Sequence, residues 1–292
     1  MVVKLISEEL LRDCGIRLVG DAESVSGGSI NRAFKVLSER GPLFIKLNTP
    51  SALDMFEAEA AGLEALAQAQ AVRVPATVAV GAVAGTAYLV LEWIEFGPKS
   101  EAAERSLGRD LASQHRTTRP EFGWDRDNTI GSTPQINAPT RNWQTFFCDR
   151  RLRYQLDLAD RNGLPSATAK DVEKLLDNAA LLFDGYEPEA SLLHGDLWGG
   201  NWGATKDGTP VIYDPAVHYG DREADLAMTR LFGGYGNAFY DAYEEAWPLA
   251  PGWERRVEFY NLYHLLNHFN LFGAGYLASV QGALGKLLRD LR

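Results

Sequence analysis

The sequence contains little cysteine, no excess of positive charge and no long uninterrupted hydrophobic run. Two cysteines, Cys14 and Cys148, are too few for a disulfide framework. We therefore interpret each as a small buried hydrophobe, and we expect a cytoplasmic protein. With 29 lysines and arginines against 39 aspartates and glutamates, the net charge of −10 does not suit a nucleic-acid binder, which needs clustered positive charge.

Membrane association is not predicted either. The longest run without Asp, Glu, Lys, Arg or His is residues 74–91, and it contains Pro75, Gly81 and Gly85. This pattern is typical of two short strands around a turn. Residues 1–15 carry charges where a signal peptide would be apolar. Because no repeat or heptad in the sequence requires a partner chain, we expect a monomer without nucleic-acid or membrane partners.

Residues 1–96 predict a strand-rich lobe with one helix. The runs ESVSG, RAFKVLS and LFIKLN are β-prone, and the turn-like GSIN and ERGP separate them. Two further strands are predicted around Gly85. Between these groups, SALDMFEAEAAGLEALAQAQ is rich in Ala, Leu and Glu and predicts a helix with Phe56, Leu63 and Leu66 on one face.

Residues 97–292 predict a mainly helical second lobe. Gly97 and Pro98 break the preceding strand. Helices are predicted in EAAERSLGRDLASQHR, NWQTFFCDRRLRYQLDLADRNG and SATAKDVEKLLDNAALLFDGY, and three more follow from about Glu223. Among them, HGDLWGGNWGATKDGTPVIYD predicts a loop and then two strands around the Asp207-Gly208 turn.

One constellation of residues suggests chemistry. His194, Asp196 and Asn201 form the pattern H-x-D-x-x-x-x-N, and Asp214 ends an apolar strand 13 residues after Asn201. In phosphoryl transfer, one carboxylate can orient and deprotonate a hydroxyl, while an amide and a second carboxylate hold Mg²⁺ through oxygen. Asp and Asn at this spacing are equally typical of turns, so the interpretation depends on residues further upstream.

Upstream residues supply parts of a nucleotide site. The loop Ser26, Gly27, Gly28 and Ser29 lies between two predicted strands, where its backbone N–H groups can close over phosphates. Lys46 lies on the third predicted strand, from which a cation could reach the same phosphates. A plain hairpin turn and a solvated lysine are the alternative interpretations of these two features.

A glutamate on the following helix could hold Lys46 in place. Glu59 is our choice, and Glu57 and Glu64 are alternatives, since any one of them could simply face solvent. Each signal is weak when taken separately. Their order along the chain is specific.

That order resembles the protein-kinase-like fold, and HGDL is similar to its aminoglycoside phosphotransferase branch. Longer runs resemble the fructosamine kinase (ketosamine-3-kinase) family, namely LLHGDLWGGNWG, DPAVHYGDREADLAMTRLFGG, YNLYHLLNHFNLFGAGY, FGWDRDNTIGSTPQIN and NWQTFFCDRRLRYQ. The resemblance covers essentially the whole chain. It implies an α+β, bilobal fold in which a five-stranded antiparallel N-terminal lobe with one helix precedes a mainly helical C-terminal lobe.

The resemblance also implies an activity, the ATP-dependent phosphorylation of the O3 hydroxyl of fructosamines, ribulosamines or erythrulosamines. It implies that Asp196 orients and deprotonates this hydroxyl, that Asn201 and Asp214 bind Mg²⁺, and that Lys46, held by Glu59, contacts the ATP phosphates. A phosphate at C3 lies next to the C2 ketone, so the product can enolise and fragment. The implied outcome is deglycation of an amine, whether a free metabolite or a glycated protein.

Further roles are implied by the same resemblance. The backbone of Glu92 and Ile94, in VLEWI, would bind adenine, and the loop of residues 26–29 would cover the phosphates. Asp225 would prop the catalytic loop, with His194 as a second structural support. On its own, Asp225 is equally typical of a helix start.

For the sugar, the resemblance indicates Trp198 and His268. A tryptophan face suits the apolar side of a sugar or an amine-bearing chain. The alternative for His268 is a core residue on an apolar helix, and we interpret Trp202 as packing.

Three other functions compete with this one. A different small-molecule kinase, such as an aminoglycoside phosphotransferase, would keep the same catalytic residues, but STPQIN and LNHFN resemble the ketosamine branch. An inactive nucleotide-binding module would have lost one of Lys46, Asp196, Asn201 or Asp214, and all four are present. A metal hydrolase would need a second histidine near His194.

Overall fold

The N-terminal part of the chain forms a five-stranded antiparallel sheet with one long helix, as the sequence predicts. The computed structural model describes residues 6–25 and 30–291. The strand order is β1-β2-β3-β5-β4, and a short helix, α1, precedes the sheet. The elements are α1 (Glu8–Asp13), β1 (Leu18–Val25), β2 (Arg32–Ser38), β3 (Gly41–Asn48), α2 (Leu53–Gln68), β4 (Thr77–Val83) and β5 (Thr86–Glu92).

Local sequence explains these elements. Ala84 and Gly85 both have positive φ, 50° and 76°, as the two-residue turn between β4 and β5 requires. Phe56, Leu63 and Leu66 are all buried, which confirms the predicted apolar face of α2.

The sheet separates two hydrophobic clusters. Alternate residues of β5 point to opposite faces, so Leu89 and Leu91 join the main core while Tyr88 and Val90 join a smaller one. The smaller cluster includes Leu10 of α1, which covers the outer face. The main core continues from α2 into the helices of the C-terminal part, so the two lobes share one continuous apolar interior.

The C-terminal part is mainly helical, with short strands that support loops. Its elements are β6 (Phe96–Gly97), α3 (Glu101–His115), β7 (Thr118–Arg119), β8 (Asn128–Ile130), β9 (Thr133–Gln135), α4 (Trp143–Phe147), α5 (Tyr154–Arg161), α6 (Ser166–Asn178), β10 (Ala190–Leu193), β11 (Trp202–Thr205), β12 (Pro210–Ile212), β13 (His218–Gly220), α7 (Arg222–Leu231), α8 (Asn237–Ala246), α9 (Trp253–Phe272) and α10 (Leu277–Asp290).

Two predictions for these helices need correction. Four helices, not three, follow residue 222, because backbone with positive φ at Gly233, Gly252 and Gly273 interrupts the helical path three times. The long helix predicted after Asn142 is continuous in direction, but one turn, Cys148–Arg153, has π-helical hydrogen bonding between α4 and α5.

Two three-stranded sheets position the loops that follow. One has the order β13-β10-β7 and the other β12-β11-β6, and β11 and β12 form the hairpin predicted around Asp207 and Gly208. β6 pairs with β11, so the strand at residues 96 and 97 belongs to a sheet of the C-terminal part. The division of the chain between residues 96 and 97 stays a prediction.

No helix in residues 6–25 and 30–291 is long and apolar enough to cross a membrane.

Candidate active site

A cleft of about 600 Å³ lies between the five-stranded sheet and the helical part of the chain. This volume is in the range of small-molecule sites. Nine of the predicted site residues line it, from both sides: Lys46, Glu59, Glu92, Ile94, Asp196, Trp198, Asn201, Asp214 and His268. His194 and Asp225 lie buried beneath the cleft rather than in its wall. The loop of residues 26–29 lies outside the described residues.

Asp225 holds the backbone of the loop that begins at His194. Its Oδ2 accepts a hydrogen bond from the His194 N–H at 2.7 Å, and its Oδ1 accepts one from the Gly195 N–H at 2.8 Å. Burial opposes the charge of this carboxylate, but a 3.2 Å contact with the His115 ring and the backbone donors hold its pKa below the ordinary value. A charged carboxylate therefore fixes the start of the loop.

Gly195 permits the sharp turn before Asp196. Its φ is 82°, and a Cβ at this position would lie 2.1 Å from the carbonyl oxygen of Ala216. Only glycine fits both the conformation and the space. The residue between His194 and Asp196 is thereby set by packing.

The His194 ring joins this loop to the segment that carries Asp214. Its Nδ1 accepts a hydrogen bond from the Asp196 N–H at 3.2 Å, and its Nε2 donates to the Tyr213 carbonyl oxygen at 3.0 Å. Burial lowers the pKa of His194, so the ring is neutral with its proton on Nε2. This tautomer satisfies both bonds.

Asn201 folds back onto Asp196. Its Nδ2 donates to the Asp196 carbonyl oxygen at 2.9 Å and to Asp196 Oδ2 at 3.2 Å. Burial and the negative charge of Asp214 raise the pKa of Asp196 to about 7. A base with this pKa suits proton transfer from a hydroxyl near neutral pH.

Lys46 pairs with two carboxylates across the cleft. Its Nζ lies 2.7 Å from Glu59 Oε1 and 2.6 Å from Asp214 Oδ1. Burial opposes the charge of the ammonium, but the two carboxylates raise its pKa above the ordinary value, so Lys46 is a cation. Of the three candidate glutamates, Glu59 makes this contact. Glu57 instead lies near Arg126, and Glu64 accepts a hydrogen bond from Gln68.

Asp214 and Asn201 present oxygen atoms that suit Mg²⁺. Because Asn201 donates through Nδ2, its Oδ1 is directed away from those bonds. Asp214 has a φ of 56°, and its side chain is 47% exposed. No group of three or more His, Cys, Asp and Glu side chains within the described ranges could hold a metal ion alone. Magnesium on a nucleotide needs only one or two protein ligands, because phosphates and water complete its shell. The two residues fit that role.

The candidate hinge is held by a surface ion pair. Glu92 accepts a hydrogen bond from Arg73 Nη2 at 2.5 Å, and its N–H donates to the carbonyl oxygen of Ala76 at 2.8 Å. Arg73 in turn bridges to Val211 of β12. These contacts keep the backbone of Glu92 and Ile94 at the inner end of the cleft.

The opposite end of the cleft is lined by aromatic side chains. Trp198 is 41% exposed, and its ring packs over the backbone of Gly200. His268 donates through Nδ1 to the His264 carbonyl oxygen at 2.8 Å, and burial lowers its pKa, so its ring is neutral. His268 is half-buried, and it faces the cleft from α9 rather than the core.

A buried polar network behind this end was missed by sequence reasoning. The guanidinium of Arg151, 1% exposed, donates to the Ile136 carbonyl oxygen and to Asn137 Oδ1, both at 2.6 Å. Asn137 and Gln135 both donate to Asn128 Oδ1, and Asn128 lines the cleft. The π-helical turn that carries Arg151 could have been suspected from the charged CDRRLR inside an apolar helix.

The two cysteines are free thiols, half-buried rather than fully buried. Burial raises the pKa of Cys14 to about 11 and that of Cys148 to about 12. Both thiols are therefore protonated and unreactive at neutral pH. The interpretation as small apolar side chains needs this one correction, because both lie at the edge of a core.

Comparison with known proteins finds one family over nearly the whole chain. The model described as "Fructosamine kinase" matches residues 2–290. The chain is 45% identical over 276 residues to a protein of Synechocystis sp. named "Probable ketoamine kinase", covering 93% of this chain and 91% of the relative. It is 42% identical over 272 residues to the chloroplastic protein-ribulosamine 3-kinase of Oryza sativa, covering 92% and 79%.

Solved structures agree with this result. A Haemophilus somnus protein assigned as a fructosamine-3-kinase superposes with a TM-score of 0.88 at 28% identity, covering 97% of this chain and 96% of the other. An aminoglycoside phosphotransferase in complex with ADP and hygromycin B superposes with a TM-score of 0.68 at 17% identity, covering 97% and 98%. The second similarity concerns the fold alone, and it identifies the protein-kinase-like architecture.

Proposed function

The chain belongs to the fructosamine kinase family, and from this premise we propose that it is an ATP-dependent kinase that phosphorylates the O3 hydroxyl of ketosamines. The observation that carries the proposal is the convergence of Lys46, Asp196, Asn201 and Asp214 on one cleft. Phosphoryl transfer needs little covalent chemistry from a protein, because positioning and charge stabilisation supply most of the rate. Those four side chains supply both.

The nucleotide would occupy the sheet side of the cleft. Adenine would bind the backbone of Glu92 and Ile94, and the ammonium of Lys46 would contact the phosphates. Asn201 and Asp214 would hold Mg²⁺ through Oδ1 and a carboxylate oxygen. When bound, the metal supplies charge neutralisation at the phosphate oxygens.

Asp196 would act on the acceptor. Its carboxylate would orient the O3 hydroxyl and take the proton as oxygen bonds to the γ-phosphorus and the bond to the β-phosphate oxygen breaks. The amide of Asn201 would keep that carboxylate in place, since it already donates to Asp196 Oδ2 at 3.2 Å. Asp225 and His194 would hold the loop backbone, so that Asp196 needs no rearrangement during the reaction.

The acceptor would lie at the aromatic end, with the sugar between Trp198 and His268. The phosphorylated product carries its phosphate beside the C2 ketone, so it can enolise and release the amine. We therefore propose deglycation as the consequence of the reaction. We further propose a cytoplasmic monomer, which size-exclusion chromatography with light scattering would test.

The experiment is a kinetic panel with purified protein, MgATP and fructosyl-, ribulosyl- and erythrulosyl-amines. ADP should form only with an acceptor, and NMR of the product should place phosphate on O3. The Asp196→Asn variant should lose kcat by at least a thousandfold and retain ATP binding, whereas Asp241→Asn, an exposed aspartate of α8, should match the wild type. Turnover of aminoglycosides without turnover of any ketosamine would instead support the alternative, a different small-molecule kinase.

A further inference from the structure

An exposed aromatic surface extends outward from the acceptor end of the cleft. We call it the aromatic rim, and its members are Trp198, Phe232, His268, Phe272 and Tyr276. The His268 ring lies 4.8 Å from that of Phe232, 5.0 Å from that of Tyr276 and 5.5 Å from that of Phe272, between centroids. Phe232 is 41% exposed and Phe272 is 56% exposed, although such large apolar side chains are costly to leave in water.

The aromatic rim is attached to the loop that carries Asp196. The backbone of Gly199 packs directly on Gly233, so closely that a Cβ on Gly199 would lie 2.5 Å from the Gly233 carbonyl oxygen. Tyr235 also donates a hydrogen bond to the Leu197 carbonyl oxygen at 3.2 Å. Phe232, which precedes Gly233, is thereby held beside the catalytic loop. A group that extends from the reacting sugar would meet these rings.

The charge of the cleft is one-sided. Among the described residues that line it, Lys46 is the one lysine or arginine, and it is already paired with Glu59 and Asp214. His268 is neutral, because burial lowers its pKa. The acceptor end therefore offers rings to a cation, through cation–π attraction, and offers no positive side chain to an anion.

We propose that the aromatic rim binds the amine-bearing half of the ketosamine and selects by charge. Adducts of neutral amines, or of a lysine side chain within a peptide, place a secondary ammonium and an uncharged chain against the rings. Adducts of free α-amino acids place a carboxylate one carbon from the nitrogen, where it loses water without gaining a partner. The inference rests on the proposed function and names the substrate class that this site prefers.

The first test compares two adducts of one ketose, made with glycinamide and with glycine, which differ by a single negative charge. The kcat/KM of the glycinamide adduct should exceed that of the glycine adduct at least tenfold. In Phe272→Arg the ratio should fall at least fivefold, because the new cation pairs with the carboxylate. Leu181→Arg, at a similarly exposed apolar position outside the cleft, should keep the wild-type ratio.

The second test concerns the rings themselves. The ratio of kcat/KM for benzylamine and methylamine adducts should be at least fivefold lower in Phe232→Ala and in Phe272→Ala than in the wild type. An equal loss for both adducts would show a structural role only and would overturn the proposal, as would equal rates for glycine and glycinamide adducts. If no ketosamine is phosphorylated at all, the proposed function fails, whatever the aromatic rim does.

Discussion

Lys46 Nζ lies 2.6 Å from Asp214 Oδ1, although the two residues are 168 positions apart in the chain. The contact joins β3 to the segment after β12, and so it crosses the cleft from the sheet to the catalytic side. The same ammonium pairs with Glu59, and its side chain is only 8% exposed. The wall proposed for phosphates and the wall proposed for metal are thus tied together before any ligand binds.

Removal of this ammonium should affect both stability and activity. In Lys46→Met, Glu59 stays buried without a counter-charge, so we expect the free energy of unfolding to fall by about 3–5 kcal/mol. Urea denaturation followed by circular dichroism measures this. The double variant Lys46→Met/Glu59→Gln should regain most of the stability but none of the kinase activity. Recovery of activity in the double variant would contradict a role for Lys46 at the phosphates.

Asp196→Asn should stabilise the ligand-free protein in a pH-dependent manner. The pKa of Asp196 is raised to about 7, so its favourable contribution is complete at pH below about 4 and is lost as the pH rises to about 7. The asparagine variant does not titrate. Its melting temperature should exceed that of the wild type by a margin that widens up to pH 7 and stays constant above it.

At most, this margin should correspond to about 1–3 kcal/mol. Asp241→Asn is the matched control, and its melting temperature should follow the wild type at every pH. A constant difference between Asp196→Asn and the wild type from pH 5 to pH 8.5 would show that Asp196 titrates normally.

Asp225→Asn should slow catalysis without preventing nucleotide binding. An asparagine has one acceptor oxygen, so one of the two backbone N–H groups of His194 and Gly195 loses its partner, at a cost of about 1–3 kcal/mol. Because Asp225 acts through the loop, kcat should fall about tenfold to a hundredfold while KM for ATP changes little. Steady-state kinetics decides the matter. A higher KM for ATP at constant kcat would place Asp225 in nucleotide binding instead.

Magnesium dependence should identify Asp214 as a ligand. In Asp214→Asn, the Mg²⁺ concentration for half-maximal rate should rise at least tenfold, since a carboxylate ligand becomes a neutral amide. Chelation by EDTA should abolish ADP formation in the wild type and in the Asp241→Asn control. Unchanged magnesium dependence in Asp214→Asn would place the metal elsewhere.

Arg151 should affect the acceptor more than the nucleotide. Its guanidinium holds the Ile136 carbonyl and Asn137, which in turn fix Asn128 at the cleft. Arg151→Leu should raise KM for the ketosamine by about tenfold, while KM for ATP stays near the wild-type value. Arg151→Lys should recover part of the loss, because it restores one charged donor. Equal changes in both KM values would indicate general destabilisation.

Local patterns in the sequence were enough to predict much of the fold. The five strands of the sheet and α2 follow from alternation, helix propensity and turn residues, all of which depend on neighbours within a few positions. Phe56, Leu63 and Leu66 are buried as their spacing indicates. The order of motifs was also specific enough to indicate the fructosamine kinase family.

Other features depended on where distant segments meet. Glu57, Glu59 and Glu64 are equivalent by sequence, and only the approach of α2 to β3 brings Glu59 to Lys46. The buried network of Arg151 likewise joins four segments that no local pattern connects. Helix boundaries after residue 222 were misjudged because glycine permits a break but does not require one.

By itself, the sequence therefore determined which residues could perform the chemistry and which elements carry them. The tertiary structure alone decided how those residues pair, which of them titrate abnormally and what surrounds the acceptor. The physical reason is range: periodicity and turn chemistry act over a few residues, whereas burial and charge pairing depend on atoms brought together by the whole folded chain.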